Sequence, residues 1–191
     1  ILAFAPAYHG LTLGALAATS RPEFRRPFAR HLHPHLTRLA FGAPPEEIDS
    51  ALAGGEVAGV LLEPIVGREG VLLPPAGWLA AVAALCRERS VLLIADEILT
   101  GFGRTGTLFA VEPEGVAPDL ICCGKALGGG VPIAAVLGRR EIFRCWEVKG
   151  EALHTSTFLG NPLACAAALA VLDILIEEDL PARAAALGQG L

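Results

Sequence analysis

The sequence has no methionine, only two lysines against thirteen arginines, and little charge of either sign. A 191-residue chain that begins with Ile1 and lacks an initiator is expected to be part of a longer protein, incomplete at both ends. Charged residues make up 18% and hydrophobic residues 53%, too apolar for a disordered chain and enough for one core of ordinary size. Fifteen Lys and Arg against twenty Asp and Glu give a net charge of −5. No basic stripe interleaved with aromatics is present, so nucleic acid is not an expected partner. The longest uncharged stretches, Ile1 to Ser20 and Ala152 to Leu172, are interrupted by Pro, Gly, His, Ser, Thr or Asn. Neither suits a bilayer span of roughly 20 apolar residues, and no membrane association is expected. No basic segment leads into an apolar run and a small-residue cleavage site, as a secretory leader would require. The five cysteines, Cys86, Cys122, Cys123, Cys145 and Cys165, are odd in number and show no CxxC spacing. That suits buried thiols in a reducing compartment, so the expected location is cytoplasmic.

Short apolar runs rich in β-branched residues alternate with segments of helical period, which predicts an α/β domain with a mainly parallel sheet and helices on both faces. Strands are expected at Val57–Leu62, Val91–Ala95, Asp119–Cys123 and Ile133–Leu137. Helices are expected at Glu46–Ala53 and Trp78–Arg89, the second with apolar Leu79, Val82, Ala83 and Leu85 on one side and basic Arg87 and Arg89 in its last turn. Asn161-Pro162 predicts a capped helix start, with the helix running through Ala164 to about Ile176. Pro44-Pro45, Pro74-Pro75 and the segment from Pro113 to Pro118 punctuate connections inside one domain, because apolar strands continue on either side.

Two positions carry chemistry by their placement. Asp96 and Glu97 directly follow the strand ending at Ala95, where open α/β sheets hold their ligands. Lys125 follows the strand ending at Cys123 and precedes Gly128-Gly129-Gly130. Burial there would lower the lysine's pKa and supply a neutral amine able to form a Schiff base; the other reading is a solvated loop lysine. An acid at Asp96 needs a cation or several donors if buried, and a protonated ring nitrogen would serve. Pyridoxal phosphate carries both an aldehyde for a lysine and such a nitrogen. Asp96 and Glu97 also admit a helix cap or a magnesium-binding strand end, though no GxxxxGK[ST] loop accompanies them. His31, His33 and His35 alternate as zinc ligands might, but Pro34 interrupts them and no nearby Cys or carboxylate completes a set, which favours a connecting segment and no metal. Cys122 and Cys123 read as packing residues.

Five segments together carry a family resemblance: Tyr8-His9-Gly10; Leu61-Leu-Glu-Pro-Ile65; Ile94-Ala-Asp-Glu-Ile98 with Thr100-Gly-Phe-Gly-Arg-Thr-Gly106; Gly124-Lys-Ala-Leu-Gly-Gly-Gly130; and His154-Thr-Ser-Thr-Phe-Leu-Gly-Asn-Pro162. In this order and spacing the chain resembles the class III, ω-amino-acid type pyridoxal-phosphate aminotransferases, closest to the putrescine, ornithine and acetylornithine group. The resemblance implies the fold-type I large domain, with residues 1–191 forming its central and C-terminal part and with the upstream phosphate ligands and the C-terminal small domain lying outside the chain. It implies a Schiff base at Lys125, which also shuttles a proton, and an ion pair between Asp96 and the pyridinium. It implies Tyr8 and Ile98 against the two ring faces, which as isolated residues would equally suit core packing. Thr157 is implied to bind the phosphate held by the neighbouring subunit of a homodimer, and Glu63 and His9 to border the cofactor. The implied reaction moves an amino group from a diamine or ω-amino acid to a 2-oxo acid.

Two residues depart from the pattern. Leu99 stands where many relatives carry a glutamine that bonds the cofactor's phenolic oxygen, a bond leucine cannot donate. Arg68 stands where ornithine-type relatives place a glutamate that pairs with a substrate-binding arginine, with Glu69 one position later. Those departures leave an aminomutase, a decarboxylating transaminase and a non-catalytic dimerising homologue as rival expectations.

Overall fold

The computed structural model describes residues 1–148, 151–152 and 154–190; Lys149, the second lysine, lies outside the described residues. The chain divides into two compact units, one formed by Ile1–Asp96 with Val111–Pro118 and the other by Glu97–Ala110 with Asp119–Leu191.

The first unit contains, in chain order, β1 (Leu2–Ala5), α1 (Leu13–Ala18), α2 (Pro22–Arg25), β2 (Thr37–Ala40), α3 (Pro45–Leu52), β3 (Gly59–Leu62), α4 (Trp78–Glu88) and β4 (Leu92–Asp96). Its strands lie in the order β2-β1-β3-β4, and the pairings are parallel. Leu2 is in register with Thr37 on one side and Val60 on the other, and Gly59 with Leu92. Leu2, Ala3 and Phe4 are consecutive and all buried, as expected for a parallel strand covered on both faces. The apolar stripes of α3 and α4 supply Ile48, Leu52, Trp78, Leu79, Val82 and Cys86 to a core shared with Phe4, Val60, Leu62 and Leu93. Trp78 meets Phe4 edge-on at 4.8 Å between centroids and donates from Nε1 to the Ala43 carbonyl at 2.8 Å, so its one polar atom is satisfied inside the core.

Helix α4 is held at both ends. The Glu114 carboxylate accepts from the Gly77 and Ala80 amides at 3.2 and 2.9 Å, placing an anion at the helix N-terminus. At the other end Arg89 donates to both oxygens of Asp49 on α3 at 2.8 and 2.7 Å, and this bonding holds the Asp49 carboxyl below its ordinary pKa.

In the second unit β5 (Leu120–Cys123) pairs antiparallel with β6 (Ala135–Gly138), Leu120 opposite Gly138 and Cys123 opposite Ala135. After β6 come α5 (Arg140–Phe143), the short antiparallel pair β7 (Glu147–Val148) and β8 (Glu151–Ala152), then α6 (Pro162–Glu177) and α7 (Leu180–Gly188). Asn161 caps α6 as its sequence predicts, Oδ1 accepting from the Ala164 amide at 3.1 Å, with Pro162 in the first turn. Cys123, Leu127 and Ala168 form the core here, with Phe102, Phe109 and Ile133 against it. Cys123 is buried and Cys122 only half-buried.

Helix α6 packs on the 3-10 turn Lys125–Gly128 that leaves β5. Gly129, which ends that turn at φ +57°, leaves no room for a side chain: a Cβ would stand 2.6 Å from Val171 Cγ2 of α6. Among the described residues, no helix is long and apolar enough to cross a membrane.

Candidate active site

Parallel pairing of β1, β3 and β4 brings their C-terminal ends to one edge, where the loops that follow them begin. Tyr8 and His9 follow β1, Glu63 follows β3, and Asp96 ends β4. The structure brings these four sequence-expected residues together. His9 Nδ1 lies 2.7 Å from Asp96 Oδ2, and the two side chains are only 3% and 8% exposed. With the carboxylate as acceptor, Nδ1 is the donor, which fixes the proton on that nitrogen. His9 Nε2 is buried with no hydrogen-bond partner among the described residues.

Glu63 is 5% exposed and accepts from the Tyr8 amide at 2.7 Å through Oε1 and from the Gly67 amide at 3.3 Å through Oε2. Burial raises its pKa, opposed by the Tyr8 amide, the His9 charge and the Gly67 amide, while Asp96 adds to the rise. Glu63 thereby ties the loop after β1 to its own loop. Tyr8 is half-buried, its ring edge-on to Phe24 at 6.2 Å, with the Arg68 guanidinium carbon 4.0 Å above its centroid.

Two residues that the sequence did not single out fix the Tyr8–His9 loop. Thr19 is fully buried; its Oγ1 accepts from the His9 amide and donates to the Gly10 carbonyl, both at 2.9 Å. Ser20 Oγ accepts from the Ala7 amide at 2.9 Å. A Thr-Ser pair after a short helix reads locally as ordinary loop, so no sequence signal separates it from one. Arg21 also escaped notice. It donates to Glu69 Oε1 at 2.5 Å and to the Arg68 carbonyl at 2.9 Å.

The second unit holds the remaining residues. Lys125 begins the 3-10 turn after β5 with φ +44°, a left-handed conformation unusual for a side chain of this size. It is exposed, the second of the two readings its sequence left open: the turn projects Lys125 outward, while Gly124 before it and Leu127 after it are buried. Ile98 packs on Gly124, where a Cβ would lie 3.4 Å from Ile98 Cγ2. Glu97 is fully buried and accepts from the Thr100 hydroxyl, and its backbone amide donates to Cys122 at 3.0 Å, so this carboxylate anchors the segment after β4. Leu99 is half-buried. Thr157 is exposed, in the turn before α6. His31, His33 and His35 lie on the connection into β2.

These features coincide with known proteins along the whole sequence. The aminotransferase class-III family model matches residues 1–191. The structure of ornithine aminotransferase from Toxoplasma gondii superposes with a TM-score of 0.92 at 37% identity, covering 99% of this chain and 43% of that one. An (S)-enantioselective ω-transaminase from Thermomicrobium roseum gives 0.88 at 36% identity over 97% of this chain and 46% of that one. Acetylornithine aminotransferase from Elizabethkingia anophelis gives 0.77 at 42% identity over 82% and 41%. The chain therefore spans less than half the length of these solved structures. Its sequence and its mostly parallel sheet place the chain in the class-III aminotransferase family.

Proposed function

We propose that the protein containing this chain is a pyridoxal-phosphate-dependent aminotransferase that moves an amino group from a diamine or ω-amino acid to a 2-oxo acid. The observation that carries this reading is the buried Asp96 carboxylate at the C-terminal end of β4, braced by His9. A buried anion with one oxygen bonded to an imidazole suits the cationic nitrogen of a pyridine ring, and an exposed amine at Lys125 suits capture of an aldehyde. The donor set therefore fits the cofactor, which the Toxoplasma gondii structure is described as holding at partial occupancy. When bound, pyridoxal phosphate supplies an aldehyde that takes up amines and an electron-withdrawing ring.

The chain's own residues do the rest. Asp96 holds a proton on the ring nitrogen, and His9 keeps the carboxylate oriented for it. Lys125 Nζ would hold the cofactor through its aldehyde and, once displaced by the incoming amine, would move the proton from the substrate carbon that bears nitrogen to the former aldehyde carbon. Tyr8 and Ile98 would hold the ring from its two faces. Glu63 keeps Tyr8 in place through its backbone. Thr157 serves the phosphate of a neighbouring subunit. A homodimer with shared active sites is supported by the apolar surface around that residue, where Phe158, Leu159 and Leu163 are 77%, 68% and 73% exposed in the single chain. The cysteine pattern, without a disulfide frame, supports a reducing compartment, which we read as the cytoplasm.

Borohydride reduction of the full-length holoprotein, followed by peptide mapping, is expected to find the pyridoxyl group on Lys125. Attachment at another residue would overturn the assignment.

A further inference from the structure

We propose that Arg68 is the receptor for a substrate carboxylate, so that this enzyme selects carboxylate-bearing substrates through the loop after β3. The inference rests on the aminotransferase reading above and adds to it a specificity-determining residue.

The loop is built to hold one residue still. Val66 and Leu72 exchange reciprocal backbone hydrogen bonds, each 3.0 Å, which close its base. Gly70 and Val71 turn the chain through φ +96° and +57°. Glu63 fixes the Gly67 amide at 3.3 Å, and Arg21 fixes both the Arg68 carbonyl at 2.9 Å and the Glu69 side chain at 2.5 Å. The backbone on both sides of Arg68 is thus pinned.

Its side chain is treated differently. Arg68 forms no ion pair among the described residues. The neighbouring acid is already neutralised, because Glu69 is bound to Arg21, so the charge of Arg68 is not cancelled within its own loop. The guanidinium rests on the ring of Tyr8, whose main chain leads straight into His9 and so to Asp96. Stacking on an aromatic face occupies the plane of the guanidinium and leaves its N–H edge to form a bond. A planar fork of donors matches a carboxylate bidentately.

The full-length holoenzyme and its Arg68→Gln and Arg68→Lys variants test this with substrate pairs that differ only in a carboxylate. For donors the pair is 5-aminopentanoate and pentylamine; for acceptors it is 4-oxobutanoate and butanal. Arg68→Gln is expected to lower the carboxylate-to-neutral ratio of kcat/KM by roughly 10- to 100-fold in at least one pair, as expected when a charge-assisted hydrogen bond is lost. The affected pair tells whether donor or acceptor brings the carboxylate. Arg68→Lys is expected to recover part of the ratio, since it keeps the charge but not the fork. Glutarate, which cannot react, gives an independent reading by calorimetry: its affinity is expected to fall by a similar factor in Arg68→Gln. Unchanged ratios in both pairs, or glutarate binding equally to both proteins, would overturn the role of Arg68. Failure of the aminotransferase reading would show separately, as loss of the borohydride-fixed adduct at Lys125.

Discussion

His9 and Asp96, 87 residues apart in sequence, meet through a 2.7 Å contact between Nδ1 and Oδ2 in which both side chains are buried. The pair turns a carboxylate at a strand end into an oriented one. Replacing His9 by Phe removes one hydrogen bond to a buried carboxylate, a cost of about 1–3 kcal/mol. The apoprotein is expected to melt at lower temperature and the holoenzyme to bind pyridoxal phosphate more weakly, which calorimetry and cofactor titration measure. Retention of both properties would show that Asp96 does not depend on His9.

Lys125 separates a chemical role from a conformational one. Lys125→Ala and Lys125→Gly are both expected to abolish turnover because neither side chain offers an amine. Their apoproteins should differ. A left-handed φ costs an L-residue roughly 1–2 kcal/mol that glycine avoids, partly offset by the extra freedom of glycine in the unfolded chain. Denaturant unfolding is therefore expected to show Lys125→Gly more stable than Lys125→Ala by about 1 kcal/mol.

Glu63 links stability to pH. Its pKa is raised in the folded chain, chiefly by burial, so between the ordinary glutamate value and that raised value the folded state binds more protons than the unfolded one. Stability from this group is fully present below the ordinary value and is lost as pH rises through the folded value. Glu63→Gln is expected to flatten that decline in a series of melts. It also turns one acceptor into a donor facing the Tyr8 or Gly67 amide, so exchange of that amide should speed up.

Asn161 tests the start of α6 alone. Asn161→Ala removes the acceptor for the Ala164 amide and is expected to cost about 1 kcal/mol by denaturant unfolding, whereas Asn161→Asp should keep most of the stability. Equal losses in the two variants would argue against the cap.

Much of this was legible in the sequence where the signal is local. The runs at Val57–Leu62 and Val91–Ala95 became β3 and β4, the stripe of Leu79, Val82 and Leu85 became α4, and Asn161-Pro162 opened α6. β2 was not legible: Thr-Arg-Leu-Ala is half polar, follows a Pro- and His-rich connection, and lies at the end of the strand order in its unit. Lys125 was found by its neighbours, which left burial and a solvated loop position both open. An apolar strand before it suggested burial, whereas the turn that begins at Lys125 projects the side chain outward. The bonds that arrange Tyr8, His9 and Arg68 join distant segments, and only the parallel register of β1, β3 and β4 makes them neighbours. Arg68 showed in the sequence as an anomaly; that it forms no ion pair among the described residues needed the coordinates.

The reciprocal amide bonds between Val66 and Leu72 make the five residues they enclose a cassette. Its shape is set by its base and by Glu63 and Arg21, not by the side chain at its tip, so a new residue at position 68 inherits a ready-made platform. Substitutions at position 68 are therefore expected to leave the scaffold intact, which makes it the first position to randomise in a search for altered amine specificity.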